Sequence, residues 1–151
     1  MIGSWGRGSL LGCIGLLNGC NSDVPVSAVT QVAPAGFIVT VTRIATHPFL
    51  SRFNLVLTVS TAGGCTATSD LFPDTGGVSR RNLYLASSGL LYVVGQFDVR
   101  RFDPEPCLIE LIEFRSVEDR LKFIGSFDID RTGQWVFQRA NTREERPFEP
   151  L

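Results

Sequence analysis

The sequence predicts an all-β fold, a small antiparallel sandwich or barrel of about seven strands with at most one short helix. Apolar and polar residues alternate with period two along several segments, as they do in strands with one buried face. Clusters of glycine, proline and aspartate separate these segments at short intervals, as turns between antiparallel strands require. The 151 residues are enough for one domain with its own hydrophobic core.

The alternation is clearest in 37–45 and 52–60, where most second residues are apolar. Residues 82–86 and 90–99 follow as two arms of a hairpin, and a second hairpin closes the series with a turn at 130–133. The full set of predicted strands is 37–45, 52–60, 82–86, 90–99, 107–114, 123–129 and 134–139.

Three local features refine these elements. Gly89 supplies the positive φ that the first hairpin turn requires, and Gly95 indicates a bulge or a close backbone approach. Segment 107–114 has apolar residues at helical spacing, but β-branched and aromatic residues after Pro106 favour a strand. Ser116 has the chemistry of an N-cap, which predicts one helical turn after it.

The first residues predict a secretory signal. Arg7 and the chain amino group supply positive charge, and residues 10–17 form a short apolar run. Small and polar residues follow this run in Leu17-Asn18-Gly19-Cys20 and Asn21-Ser22-Asp23. The alternative is that residues 10–17 form a buried strand or short helix, since periodicity alone does not distinguish short apolar runs.

The segment Leu17-Asn18-Gly19-Cys20 resembles the lipobox of bacterial lipoproteins, which has leucine first, a small residue third and cysteine fourth. The resemblance implies cleavage before Cys20, a diacylglycerol on its thiol and an acyl chain such as palmitate on its new amine. It also implies a lipid-anchored protein of the cell envelope. Asn21 after the cysteine is similar to the signals that direct such proteins to the outer membrane, facing the periplasm.

These patterns divide the chain into four regions. A signal peptide covers 1–19, and the lipidated Cys20 begins a flexible tether over 20–36, because 21–36 are small, polar and proline-containing. The all-β domain covers 37–139. A polar tail over 140–151 has mixed charge and two prolines, and we expect it to fray.

The number of cysteines, four, is also consistent with a location in the cell envelope. If the signal is removed and Cys20 is acylated, Cys13 leaves with the signal and only Cys65 and Cys107 remain. An oxidising compartment would allow these two to form a disulfide, whereas the alternative is two buried free thiols. A zinc site has little support, because no CxxC motif is present.

The charge balance argues against a nucleic-acid partner. Fourteen Lys and Arg against fifteen Asp and Glu give a net charge of −1, whereas phosphate recognition draws on clustered basic residues. Arg80, Arg81, Arg100 and Arg101 are the candidate binding residues, because arginine forks suit carboxylate and phosphate groups such as lipid headgroups. The alternative, favoured by the near-zero net charge, is solvated strand ends balanced by neighbouring acids.

A calcium loop is the one metal-site candidate. Asp128, Asp130, Thr132 and Gly133 match its first half, in which alternate oxygens precede a sharp turn. Its twelfth position would be Arg139 instead of a bidentate glutamate, which favours an ordinary hairpin turn. We therefore expect no metal and no cofactor.

The sequence offers little support for catalysis. His47 is the only histidine and no G-x-S-x-G motif accompanies it. Glu110, Glu113 and Glu118 have the spacing of a solvated face and not of a cleft. Trp135 lies in a predicted strand and is expected in the core.

We therefore expect a non-catalytic binding or structural module, with the membrane as one partner, through the lipid, and another envelope protein as the second. One alternative is an inhibitor or exclusion factor that acts on an envelope enzyme or a phage through an exposed loop over 61–81. The other is a hydrolase with a cleft at His47 or at an acid pair. An assembly component would instead expose an apolar patch.

Overall fold

A computed structural model describes residues 24–148 and confirms the all-β prediction: two antiparallel sheets face each other as a sandwich. The four-stranded sheet has the order β1-β2-β3-β4, with β1 at Val26–Val32, β2 at Phe37–Ala45, β3 at Phe53–Ser60 and β4 at Thr66–Asp74. The six-stranded sheet has the order β10-β9-β5-β6-β7-β8. Its strands are β5 (Arg81–Ala86), β6 (Leu91–Val94), β7 (Val99–Asp103), β8 (Leu108–Ile112), β9 (Leu121–Ile129) and β10 (Trp135–Arg139).

The main core lies between the two sheets and arises from the period-two pattern. Val39 and Val41 of β2 and Leu57 of β3 have no exposed surface, because alternate residues of both strands point inward. They meet large side chains from the six-stranded sheet, among them Phe102 and Phe127. Each such side chain stabilises the fold by about 1.5–3 kcal/mol relative to an exposed position.

A second apolar cluster covers the outer face of the six-stranded sheet. Tyr84 and Tyr92 are buried there, beneath the segment that connects β8 to β9 and beneath Phe148. Both faces of β5 and β6 are therefore buried, and β6 has no polar face.

Part of the predicted polar tail, residues 145–148, lies against this sheet. Asn82 donates a hydrogen bond to the carbonyl oxygen of Arg146 at 2.8 Å, and the Tyr84 hydroxyl donates to Glu145 at 2.9 Å. These contacts satisfy polar groups that would otherwise lie unpaired against an apolar surface.

The predicted tether is wrong for residues 26–32, which form β1. This strand pairs with β2 along its whole length, from Val26 opposite Arg43 to Val32 opposite Phe37. The predicted loop 61–81 is also wrong for residues 66–74, which form β4 at the edge of the same sheet.

Two smaller predictions also change. The predicted strand 90–99 ends at Val94 and resumes as β7 at Val99, because Gly95 and its neighbours form a turn. The helical turn is a 3₁₀ turn at Phe114–Ser116 that follows Glu113, so Ser116 ends the turn and does not cap it. The strand prediction for 107–114 is confirmed by β8.

The signal segment 1–19 and the lipidation residue Cys20 lie outside the described residues. Within the part of the chain that the structure describes, no helix has the length and hydrophobicity needed to span a membrane.

Candidate functional site

One end of the sandwich gathers most of the buried charge and exposed aromatic surface. Strand register places Ala45 opposite Phe53 and Phe53 opposite Asp74, so the β2–β3 loop (46–52) and the β4–β5 connection (75–80) lie at the same end. The 95–98 turn joins them, because the Phe72 N–H donates to Asp98 Oδ2 at 2.9 Å. We call this group, 46–52, 72–81 and 95–98, the loop end.

Arg81 and Asp98 form the buried polar centre of the loop end. Arg81 is 3% exposed, and its guanidinium donates to the carbonyl oxygens of Phe72, Val78, Ser79 and Arg80. An Arg81 Nη atom lies 3.8 Å from Asp98 Oδ1. Burial lowers the pKa of Arg81, and the Asp98 charge opposes this effect. The pair thereby connects β4 of one sheet to the other sheet.

Gly95 is required beside this pair. A Cβ at this position would lie 2.7 Å from Asp98 Oδ1 and 2.8 Å from Arg81 Nε. The prediction for Gly95 was a bulge or a close backbone approach, and the groups that approach it are instead the two charged side chains.

Asp74 organises the neighbouring turn. Its Oδ1 accepts hydrogen bonds from the N–H groups of Gly76 (2.9 Å) and Gly77 (2.7 Å), and its Oδ2 accepts one from Ser79 Oγ. Ser79 Oγ in turn accepts a bond from Arg43 Nε at 3.1 Å. Burial would raise the pKa of the Asp74 carboxyl, but these hydrogen bonds and the Arg43 charge together lower it. The turn is therefore ordered by an ionised carboxylate.

Large apolar side chains are exposed on this framework. Phe49 is 90% exposed at the tip of the β2–β3 loop, next to the half-exposed Leu50. Phe72 and Phe97 are also half-exposed, and their ring centroids lie 6.3 Å apart. The loop tip is shaped by His47, whose Nδ1 accepts the N–H groups of Phe49 (3.1 Å) and Leu50 (3.0 Å). Sequence reasoning missed this surface, because its residues are scattered between 47 and 97.

The four candidate arginines do not form one patch. Arg81 is buried, and Arg100 Nε lies 3.5 Å from Asp98. Arg101 pairs with Glu110 on β8 at 2.5 Å. Arg80 donates to the Arg146 carbonyl oxygen at 3.1 Å and lies over the Phe148 ring, 4.2 Å from its centroid. Adjacent strand residues point to opposite faces, so each doublet is divided between two environments.

The calcium-loop candidates are bound to protein groups. Asp128 Oδ2 accepts hydrogen bonds from Arg143 (2.6 Å) and Arg146 (2.9 Å). Asp130 Oδ1 accepts three, from the N–H and Oγ1 of Thr132 and from the N–H of Gln134. These bonds, led by the one from Thr132 Oγ1, lower the pKa of Asp130. Among residues 24–148, no three His, Cys, Asp or Glu side chains are grouped as a metal site would need.

The candidate catalytic residues are also apart from one another. His47 is engaged with its own loop, and each glutamate has a separate polar partner. Glu110 binds Arg101, Glu113 binds Arg115, and Glu118 accepts from the hydroxyls of Ser88 and Tyr92.

Cys65 and Cys107 lie at disulfide-bonding distance, with Cα atoms 5.9 Å apart. Cys65 is in the β3–β4 turn and Cys107 in the β7–β8 turn, so the pair connects the two sheets at the end opposite the loop end. Trp135 lies in the core, as predicted, and its indole N–H donates to the Val41 carbonyl oxygen at 2.9 Å.

The outer face of the four-stranded sheet is rich in hydroxyl groups. Thr40, Thr58 and Thr68 are adjacent across β2, β3 and β4, and the hydroxyls of the last two lie 3.2 Å apart. A second pair, Ser60 and Thr66, lies beside them at 3.0 Å. We call these five residues the hydroxyl face; the exposed Val29 and Ile38 lie beside them, opposite Thr40 and Ser60.

Comparisons with protein-family models, with curated proteins and with solved structures find no match to this chain.

Proposed function

We propose that this protein is a lipid-anchored, non-catalytic module of the bacterial cell envelope, held at the outer membrane by acyl chains on Cys20. The observation that carries the proposal is the segment Leu17-Asn18-Gly19-Cys20, which ends six residues before the first strand begins at Val26. An extended link of six residues spans at most about 20 Å, so the domain would remain close to the lipid surface.

The lipid would supply the main attachment, because most large apolar side chains of the described residues are used in the fold. The largest apolar side chains lie in two clusters, one between the sheets and one beneath the chain end. A single acyl chain gives only marginal membrane binding, at about 0.8 kcal/mol per buried CH₂, whereas two or three chains hold a protein stably.

The burial and hydrogen bonding of the polar residues support a binding or structural role. The charged side chains that could act in catalysis at the loop end, Asp74, Arg81 and Asp98, are buried and bonded to protein groups. The hydroxyl face, in contrast, is accessible and carries donors and acceptors in fixed register. We propose this face as the surface that contacts another envelope component.

Metabolic labelling with an alkynyl fatty acid in a bacterial host tests the anchor. The unsubstituted protein should incorporate label, and Cys20→Ala should lose it. Cys13→Ala is the matched control, because Cys13 lies in the apolar run and should leave labelling unchanged. Equal labelling of Cys20→Ala and the unsubstituted protein would refute the proposed function.

A further inference from the structure

We infer that the loop end is a second membrane contact, with its exposed phenylalanines inserted into the lipid–water interface beside the anchor. The inference rests on the proposed lipid at Cys20. It adds an orientation: the sandwich stands on the bilayer with the loop end down and the opposite end, at Cys65 and Cys107, farthest from the lipid.

The start of β1 lies at the loop end, close in sequence to Cys20. Val24 and Val26 lie beside the loop end, because Val26 pairs with Arg43, and both valines line one open cavity with Ala45 and Phe53. Cys20 precedes Val24 by four residues, which span at most about 14 Å when extended. The seven residues of β1 then lead away from this end and add about 23 Å. Acyl chains on Cys20 therefore bring the membrane to the loop end and not to the opposite end.

The exposed side chains have the chemistry of an interfacial contact. Phe49, Leu50, Phe72 and Phe97 are all about half-exposed or more, and they occupy one end of the molecule. Phenylalanine and leucine are typical of protein surfaces that enter the boundary between headgroups and acyl chains. Burial of each such side chain is favourable by an amount comparable to burial in a core. Phe72 and Phe97 are neighbours, with ring centroids 6.3 Å apart, and Phe49 and Leu50 lie in the β2–β3 loop at the same end of the sandwich.

The framework beneath these side chains is fixed before any lipid arrives. Phe72 is held on both sides of its backbone, since its N–H donates to Asp98 and its carbonyl oxygen accepts from Arg81. The loop that carries Phe49 is held by His47. A surface ordered in advance loses little conformational entropy on contact.

The charges at this end also suit lipid phosphates. Two acids of the loop end, Asp74 and Asp98, are buried and lie next to arginines, whereas Asp70 on β4, two residues before Phe72, is exposed. Arg52 is exposed in the same loop as Phe49, where an anionic headgroup could approach it. An anionic headgroup would be attracted by the exposed Arg52, and the carboxylates of Asp74 and Asp98 are too deeply buried to repel it strongly.

Depth-dependent quenching tests the orientation. The full-length, acylated protein is extracted, placed in phosphatidylcholine–phosphatidylglycerol vesicles, and compared as Phe49→Trp and Leu108→Trp variants. Both replaced residues are exposed, but Leu108 pairs with Asp103 at the opposite end of the sandwich. Brominated lipids should quench the added fluorescence of Phe49→Trp and leave that of Leu108→Trp unchanged. The unsubstituted protein, with its buried Trp135, supplies the baseline.

Flotation of the same vesicles separates the two proposals. If the unsubstituted protein does not float with lipid, the anchor fails and the orientation fails with it. If the protein floats but Phe49→Trp is not quenched, the anchor stands and the inference is overturned; the loop end then faces solvent or a protein partner. Phe97→Trp, in a neighbouring turn, repeats the measurement and should give the same quenching as Phe49→Trp.

Discussion

Arg81 and Asp98 are the residues that most clearly join the two sheets. Burying a charge is costly unless it is paired and hydrogen-bonded, and here the guanidinium reaches a carboxylate and four carbonyl oxygens. Among residues 24–148, however, Arg81 Nε donates no hydrogen bond and Asp98 Oδ1 accepts none. The pair therefore contributes more to fixing one arrangement of the loop end than to net stability.

Replacing Arg81 tests this account. Arg81→Met should lower the free energy of unfolding by about 3–5 kcal/mol, because the buried Phe72 carbonyl oxygen would lose its donor and Asp98 would keep only Arg100 and the Phe72 N–H as partners. Urea unfolding measures the change. Arg115→Met is the control, since Arg115 and its partner Glu113 are exposed, and it should cost about 0.5 kcal/mol or less. Equal losses for the two variants would contradict the assigned role of Arg81.

Tyr84 makes stability depend on pH in the alkaline range. Burial, reinforced by the hydrogen bond to Glu145 and opposed by one from Asn82, raises the pKa of Tyr84 to about 12. In the unfolded chain the phenol loses its proton near its ordinary pKa of about 10. The folded state therefore holds the proton more tightly, so stability is retained below pH 10 and falls as pH rises toward 12.

The Tyr84→Phe variant should show a shallower loss of stability between pH 10 and 12, measured by urea unfolding across that range. Part of the slope should persist, because burial also raises the pKa of Tyr92. A slope identical to that of the unsubstituted protein would exclude Tyr84 as its source.

The elements differ in how well the sequence predicts them. Strands β2, β3, β5, β9 and β10 carry alternating large apolar residues and were predicted close to their observed bounds. β1 was missed because its buried face consists mainly of small side chains, with Ala28 and Thr30 before Val32. β4 was missed because it is an edge strand with Pro73 and polar residues, and only Leu71 enters the core.

The loop end was beyond prediction for a different reason. Its contacts join residues far apart in the chain, such as Phe72 with Asp98 and Arg43 with Ser79. Which side chains meet depends on strand register, and composition does not determine register. The disulfide pair, by contrast, followed from counting the cysteines left after the predicted signal.

A disulfide between Cys65 and Cys107 would connect the β3–β4 turn to the β7–β8 turn. The cysteines are 42 residues apart in sequence, so a bond between them should stabilise the fold by about 3–4 kcal/mol through loop closure. The double variant Cys65→Ser and Cys107→Ser should lose about that amount in urea unfolding. Alkylation of both thiols in unfolded, unreduced protein would contradict the bond.

In the whole molecule, contacts join the two sheets at both ends of the sandwich and in its middle. Arg81 joins the sheets at the loop end, Trp135 bonds to Val41 in the core, and Cys65 approaches Cys107 at the opposite end. A domain held together in this way would keep a fixed orientation relative to its membrane anchor. With the loop end on the membrane, the hydroxyl face would stand upright on the side of the domain.

The central claim is that acyl chains on Cys20 hold this body at the envelope, and intact mass of the membrane-extracted protein tests it most directly. We predict a mature chain that begins at Cys20, lacks residues 1–19 and carries the added mass of a diacylglycerol and an N-linked acyl chain. A chain that begins at Met1 and carries no added mass would contradict the account.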